Sequence, residues 1–197
     1  MLDSLPYALP ELVTRAPLDT HRSTVLPEWV DWNGHMNVAF YVTAFDQASG
    51  AFMRNMGLGR RYVDGKLGMT FVLETHVTYD REMREGAPMR FATQLLARDA
   101  KRVHLFHEMY HGEQGYLAAT NETIVMNIDY ASRRSAPWPI PVAARLEELW
   151  QTHKDLPRPA KAGADQAACV ATPRSGCYRK LQGGWTRLAG AHQRSLA

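Results

Sequence analysis

The chain has 197 residues, of which 45% are hydrophobic and 22% are charged, a composition typical of one globular domain that needs neither disulfides nor a structural metal to fold. The net charge of +3 does not indicate a nucleic-acid partner, because the positive charge is confined to one end of the chain. Residues 158–197 hold seven of the 23 Lys and Arg residues and one of the 20 Asp and Glu residues, so residues 1–157 carry a net charge of −3.

The two cysteines, Cys169 and Cys177, lie in this basic end. Residues 1–168 therefore offer no cysteine nucleophile, no C-x-x-C redox pair and no cysteine ligand for zinc. The chain has no basic start followed by an apolar run, and no apolar stretch long enough to span a membrane. We expect a cytoplasmic protein without a membrane partner.

The first third of the chain predicts a lead-in, a strand and one long helix. Residues 1–19 contain three prolines and predict a lead-in with one helical turn near Glu11–Arg15. The β-branched run within residues 20–30 predicts the first strand. From Asn37 to Met56 apolar residues recur at spacings of three and four, which predicts a helix.

Four β-rich stretches follow, joined by short turns, and a final helix closes the domain. The stretches are Met69–Tyr79, Met89–Arg98, Arg102–Tyr110 and Tyr116–Tyr130. Short connections favour antiparallel neighbours, and residues Val142–His153 predict a short helix. The order β-α-β-β-β-β-α predicts an α+β domain over residues 20–156 in which the sheet wraps the long helix. The basic, Ala- and Gly-rich residues 157–197 predict a disordered tail.

Three histidines in the fourth strand, His104, His107 and His111, suggest a metal site at first sight. A strand alternates its side chains, so His104 and His107 are expected on opposite faces. We therefore predict no metal site and interpret these side chains as surface and pocket-wall imidazoles.

The most informative stretch lies between the first strand and the long helix. Asp31, Gly34, His35 and Asn37 occur together immediately before a helix N-terminus, whose unpaired N–H groups can bind a developing oxyanion. Acyl transfer needs such a set, namely a carboxylate as base or nucleophile and donors facing a carbonyl oxygen. A purely structural role is equally open, with Asp31 or Asn33 as cap and turn residues.

The segment from Asp31 to Asn37, followed by Tyr41, resembles the D-x-x-G-H-x-N-x-x-x-Y signature of hotdog-fold acyl-CoA thioesterases of the 4-hydroxybenzoyl-CoA thioesterase type. The residues Gly86-Ala87-Pro88 and the stretch Ser135–Pro139 are also similar to that family. The resemblance covers about residues 20–156. It implies a hotdog fold, in which one long helix is wrapped by an antiparallel five-stranded sheet, with a short C-terminal helix.

Within that family the chain bears a closer resemblance to thioesterases that act on betainyl-CoA in carnitine degradation. The similar stretches are Pro27–Met36, Glu74–His76 and Ala100–His107. The resemblance implies hydrolysis of a short-chain acyl-CoA, with betainyl-CoA as the candidate substrate. Many hotdog thioesterases carry a second asparagine where this chain has Val38, so the acyl group stays open.

The resemblance also implies roles for individual residues. Asp31 would be the catalytic base or nucleophile, with His35 and Asn37 orienting water or the carbonyl group. Backbone N–H groups near Met36 to Val38 would polarise that carbonyl. The remaining implied substrate contacts are Trp29, Trp32, Gly34, Met36, Val38 and Tyr41, together with Glu74 and His76, which would line the pocket of the partner subunit. The implied CoA phosphate contacts are Lys101 and Arg102. No cofactor or metal is expected, since CoA is part of the substrate. A homodimer is implied, with a dimer of dimers as a further arrangement.

A betainyl group carries a quaternary ammonium, which aromatic faces hold well. Trp29 and Trp32 flank Asp31, so the sequence predicts either an aromatic cage from these two with Tyr41, Phe71 or Trp138, or two tryptophans that pack in the core.

Two other functions stay open. A hotdog hydratase or dehydratase relies on a histidine nearer the helix interior, and the segment Val38–Met56 contains none. A non-catalytic acyl-CoA-binding subunit would bind its ligand without turnover.

Overall fold

Five antiparallel strands and one long helix make up the domain. The computed structural model describes residues 3–160. Most of the tail for which the sequence predicts disorder, from residue 161 onward, lies outside the described residues. The strands are β1 Leu18–Thr24, β2 Gly68–Tyr79, β3 Pro88–Arg98, β4 Arg102–His111 and β5 Leu117–Asp129. They form one sheet in the order β1-β3-β4-β5-β2. The helices are α1 Val38–Asn55, α2 Arg60–Asp64 and α3 Ile140–His153.

The predicted hotdog architecture is confirmed, including the order of the main elements. The four predicted strands that follow the long helix match β2 to β5 to within a residue or two at each end. None of the helices in residues 3–160 is long and apolar enough to cross a membrane.

Helix α1 lies across the inner face of the sheet, and the core lies between the two. Asn37 caps its start, because the side-chain oxygen accepts the Ala39 N–H at 3.0 Å. The chain leaves the helix at Gly57, whose φ of +88° favours glycine. One side of α1 buries Phe45 and Phe52 against the strands, as the apolar spacing predicts.

The core divides into two clusters along α1. One surrounds the start of the helix and contains Trp29, Tyr41 and Phe45. The other surrounds its end, where α3 adds Leu146 and Leu149. The first cluster lies beneath the loop that the sequence singles out, so this loop rests on well-packed side chains.

The predicted helical turn at Glu11–Arg15 is wrong, and the lead-in is instead an extended segment bonded to the helices. The Asn55 side chain accepts the Val13 N–H at 2.9 Å and donates to the Val13 oxygen at 2.8 Å. His153 donates from Nε2 to the Arg15 oxygen at 3.3 Å and accepts the Leu95 N–H at Nδ1. Backbone groups that bond to α1 and α3 cannot also close a helical turn.

The first strand is shorter at its end than predicted. β1 stops at Thr24, and Pro27–Trp29 forms a single 3-10 turn instead of continuing the strand. Proline at the first position favours such a turn. The short helix α2 is a second element without a clear periodic signal in the sequence.

The strand histidines lie on opposite faces of the sheet, as predicted, but they are buried rather than at the surface. His107 lies under α1, with Nε2 at 3.0 Å from the Ser49 hydroxyl and Nδ1 at 2.9 Å from the Thr93 hydroxyl. His104 on the outer face contacts Glu122 at 2.7 Å. The surface prediction fails because α1 covers His107 on the inner face, while Arg158 lies against Glu122, the partner of His104, on the outer face. Among residues 3–160 no group of metal-ligating side chains lies close enough to hold an ion.

Burial lowers the pKa of His107 to about 3, and the charge of His21 adds to this effect. Burial also lowers the pKa of His21, His104 and His153. A histidine kept neutral in the folded protein stabilises it fully above its unfolded pKa near 6.5, and this stability is lost as the pH falls toward the folded value.

We therefore predict that replacing His107 by Gln flattens the acid side of the stability profile. Between about pH 4 and 6 the free energy of unfolding of the native protein should fall by about 1.4 kcal/mol more per pH unit than that of His107→Gln. Urea unfolding at several pH values measures this slope. His76→Gln, which changes an exposed histidine of β2, is the control. Equal slopes for the native protein and His107→Gln would contradict the prediction.

Candidate active site

The loop before α1 is held in a fixed shape by its own backbone. Val30 and Met36 form an isolated bridge, and the Asp31 N–H donates to the His35 oxygen at 3.1 Å. The Gly34 N–H closes the turn onto the Asp31 oxygen at 3.0 Å. Gly34 has a φ of +81°, which a residue with a side chain adopts only under strain. The loop therefore presents Asp31 beside the start of α1 in one conformation.

Two hydrogen bonds orient the Asp31 carboxylate. Its Oδ1 accepts the Asn33 N–H at 2.8 Å, and its Oδ2 accepts from Asn37 Nδ2 at 3.3 Å. The same Asn37 side chain caps the helix through its oxygen. The functional and structural explanations of this motif therefore hold together, because the helix cap is also the residue that positions the carboxylate.

A cleft of about 430 Å³ opens at this point. Six predicted site residues line it, namely Asp31, His35, Met36, Asn37, Val38 and Tyr41. The opposite wall is the segment Tyr79–Glu82, which leaves the end of β2 and which the sequence reasoning missed. The run of an aromatic residue followed by three charged residues at a strand end was the only signal for it.

One backbone N–H at the helix start is available to a bound group. The Met36 N–H donates to the Met83 oxygen at 2.7 Å, and the Asn37 N–H donates to the Trp29 oxygen at 2.8 Å. The Val38 N–H has no acceptor within residues 3–160, although Val38 lines the cleft. It is the first N–H of α1, where the helix dipole favours negative charge. Of the N–H groups near Met36 to Val38, the geometry leaves that of Val38 for an oxyanion.

Tyr41 lies one turn into α1 and faces the cleft, as expected. Its hydroxyl oxygen accepts the Met83 N–H at 3.1 Å, so its own proton is free to be donated. Burial raises the pKa of Tyr41, which keeps the phenol neutral. Its ring meets the Tyr79 ring edge to face, with centroids 5.2 Å apart at 88°.

The predicted tryptophan cage does not form within the chain. Trp29 is buried and stacks on Phe40 with ring centroids 5.4 Å apart, while Trp32 is 97% exposed. Trp138 belongs to the core cluster at the other end of α1. Phe71 lies near the start of β2, whereas the cleft lies at the end of that strand. Tyr41 is the one predicted cage residue among the cleft's lining residues.

Glu74 and His76 lie away from the cleft of their own chain. They pair with Ile124 and Glu122 on β5, on the sheet face that also carries His104. This face is turned away from α1, because His107 on the opposite face contacts Ser49 of the helix.

The two predicted phosphate contacts lie in the β3–β4 turn, at the far end of the sheet from Asp31. Arg102 is 5% exposed, and its guanidinium donates twice to Asp99 Oδ2, at 2.8 and 2.6 Å. This internal ion pair holds Arg102 away from solvent, so the structure does not place it for a phosphate. Lys101 is partly exposed and contacts the Ser135 hydroxyl at 3.4 Å.

Comparison with known proteins finds relatives that are named as thioesterases. The betainyl-CoA thioesterase of Pseudomonas aeruginosa is 39% identical over 146 residues, which cover 74% of this chain and 92% of that protein. An L-carnitine dehydrogenase/betainyl-CoA thioesterase of Ruegeria pomeroyi is 34% identical, over 81% of this chain and 33% of that protein. A Staphylococcus aureus protein solved in complex with CoA is 29% identical with a TM-score of 0.70, covering 83% of this chain and 99% of that one. Residues 25–146 match the thioesterase-like superfamily, and the chain belongs to this family.

Proposed function

We propose that this acyl-CoA thioesterase hydrolyses betainyl-CoA to betaine and CoA, with Asp31 as its catalytic carboxylate. The observation that carries the proposal is the Asp31 carboxylate, fixed by Asn33 and Asn37 in a cleft that Val38 also lines, with a Val38 N–H that has no acceptor within residues 3–160. The names of the Pseudomonas and Ruegeria relatives support the choice of acyl group. A cytoplasmic site of action, expected from the sequence, is part of the proposal.

The proposed chemistry needs a nucleophile on one side of the thioester carbonyl and a donor on the other. The Val38 N–H donates a hydrogen bond to the developing oxyanion as the carbonyl carbon becomes tetrahedral. Asp31 either removes a proton from an attacking water or attacks the carbon itself. The carbon–sulfur bond then breaks, and the CoA thiolate leaves and takes up a proton. In the second route water hydrolyses the resulting anhydride. Asn37 is a positioning residue in both routes, because it orients the carboxylate.

Replacing Asp31 by Asn should lower kcat for thiol release at least about 100-fold, because the variant keeps an acceptor for the Asn33 N–H but loses the base or nucleophile. The measurement is thiol release from betainyl-CoA, acetyl-CoA, a medium-chain and an aromatic thioester. Asp46→Asn, which changes an exposed aspartate of α1, is the control and should keep its activity.

Each other outcome of this panel has a definite meaning. Turnover of the other thioesters but not of betainyl-CoA would reject the substrate and keep the thioesterase. Binding of acyl-CoA by the native protein without any thiol release would instead support a non-catalytic binding subunit.

The Val38 N–H can be removed without disturbing the helix. Val38 is the first residue of α1, where proline is well tolerated, and Asn37 before it already has the extended ψ of 146° that proline requires. Val38→Pro should therefore keep the thermal midpoint while lowering kcat by about 100- to 1000-fold. Val38→Ala keeps the N–H and should retain most of the activity. Equal kcat values for the two variants would rule out this N–H as the oxyanion donor.

We also propose a homodimer formed through β2. This strand is twelve residues long and lies at the edge of the sheet, and no other strand within residues 3–160 pairs with its outer side. A long unpaired edge is a template for a further strand. Val72 on this strand is 49% exposed, which also favours a covered surface.

Such a dimer would bring CoA phosphates near Lys101. A two-fold axis pairs the two copies of β2 antiparallel, so the start of β2 in one copy lies beside its end in the other. Lys101 lies near the start of β2, since its oxygen accepts the Asn127 N–H and Asn127 pairs with Thr70. The cleft lies at the strand's end. Pairing therefore moves Lys101 of each copy toward the cleft of the other.

A lysine placed in the middle of β2 should weaken the dimer. Val72→Lys is expected to shift the mass measured by light scattering after size exclusion from dimer toward monomer, because charged edge residues oppose strand addition. Val13→Lys changes a valine of similar exposure, 43%, in the lead-in and serves as the control. A native protein that is monomeric at assay concentration would reject this proposal and leave the catalytic one standing.

A further inference from the structure

The wall of the cleft opposite the catalytic loop has a composition of its own. The segment Tyr79–Glu82 follows the end of β2 and supplies one aromatic ring, two carboxylates and one guanidinium. Tyr79 is about half exposed, and its ring packs edge to face on the buried Tyr41. Two phenol rings at right angles therefore form a corner at the cleft wall.

The charges around this corner are mostly negative. Asp31, Asp80 and Glu82 line the cleft, and Arg81 is the only Lys or Arg among the lining residues within the described part of the chain. The Arg81 guanidinium lies 5.2 Å from the centre of the Tyr116 ring, which draws its charge toward that ring. The Arg84 guanidinium bonds Glu82 at 2.7 Å and, with a smaller effect from His35, lowers the pKa of that carboxyl. An anionic acyl group would be repelled here, whereas a cationic one would be attracted.

The spacing along α1 matches a very short acyl group. Val38 and Tyr41 are three residues apart, so they lie on the same side of the helix with Cβ atoms about 5–6 Å apart. Val38, Tyr41 and Tyr79 line the same cleft, so a charge one methylene from a thioester carbonyl held at the Val38 N–H would be within reach of the Tyr41–Tyr79 corner. Burial raises the pKa of both tyrosines, so both rings stay neutral and keep their full attraction for a cation.

We propose that Tyr79 and Tyr41, together with Asp80 and Glu82, form a subsite for the quaternary ammonium group of the acyl chain. This subsite rests on the proposed function and adds to it the residues that select a cation over a neutral group of the same shape. The tryptophans of the catalytic loop have no part in it, because Trp29 is buried against Phe40 and Trp32 is outside the cleft lining.

The test compares betainyl-CoA with tert-butylacetyl-CoA, in which carbon replaces the ammonium nitrogen and the shape is unchanged. The quantity measured is the ratio of kcat/KM for the two substrates, each divided by its rate of uncatalysed hydroxide hydrolysis. Tyr79→Leu should lower this ratio about tenfold, because leucine fills the space without an aromatic face. Tyr79→Phe keeps the face and should keep the ratio within about twofold. Tyr110→Leu is the control, because this β4 ring packs on Arg90 and is not among the residues that line the cleft.

The charges are tested separately by Asp80→Asn, which should lower the same ratio by about two- to fivefold at low salt and less at high salt. A measurement on the unaltered protein avoids any effect of a variant on folding: betaine should inhibit at a concentration several times lower than tert-butylacetate, its isosteric carboxylate.

The outcomes separate the two proposals. A ratio that is the same in the native protein and in Tyr79→Leu, or equal inhibition by the two carboxylates, would overturn the subsite while hydrolysis of betainyl-CoA stands. Absence of thiol release from both substrates would overturn the proposed function instead.

Discussion

The side chain of Asn37 joins the long helix α1 to the carboxylate that lines the cleft. Its oxygen caps Ala39 at the start of α1, and its nitrogen bonds Asp31. A serine or threonine would cap the helix as well but would not reach the carboxylate, and an aspartate would repel it. The position of Asp31 relative to the Val38 N–H is therefore set by where the helix begins, and that is set by the packing of Tyr41 and Phe45 below.

The core explains why this arrangement is rigid. The loop backbone is bonded at both ends, with Met36 to Met83 and Asn37 to Trp29. Trp29 stacks on Phe40 beneath it and so belongs to the foundation of the site rather than to its surface. On the same inner face His107 fills the space under α1 as a neutral ring between Ser49 and Thr93. A charged ring at this position would be poorly solvated. His107 therefore stabilises the core only in its neutral form.

Much of the fold and part of the site follow from the sequence, for identifiable reasons. Helix α1 and the later strands have strong periodic patterns, and the Asp31–Asn37 motif is contiguous, so its members must lie together. The helical turn predicted for the lead-in is wrong because the backbone of this segment bonds to Asn55 and His153, which are distant in sequence. The wall at Tyr79 was missed for the same reason, since strand pairing and not local sequence brings it opposite Asp31. The sequence also does not predict which tryptophan is buried, because Trp29 is 7% exposed and Trp32 is 97% exposed although they are only three residues apart.

The acidic wall of the cleft has a consequence for what happens after the thioester is cut. If the acyl group is cationic, the substrate brings one positive charge to Asp31, Asp80 and Glu82, and hydrolysis adds a carboxylate next to it. The acyl group then has no net charge, and its new negative end faces negative side chains at short range. The electrostatic attraction that holds the substrate is thus largely cancelled by the reaction itself. The cleft therefore favours the group it receives over the group it produces.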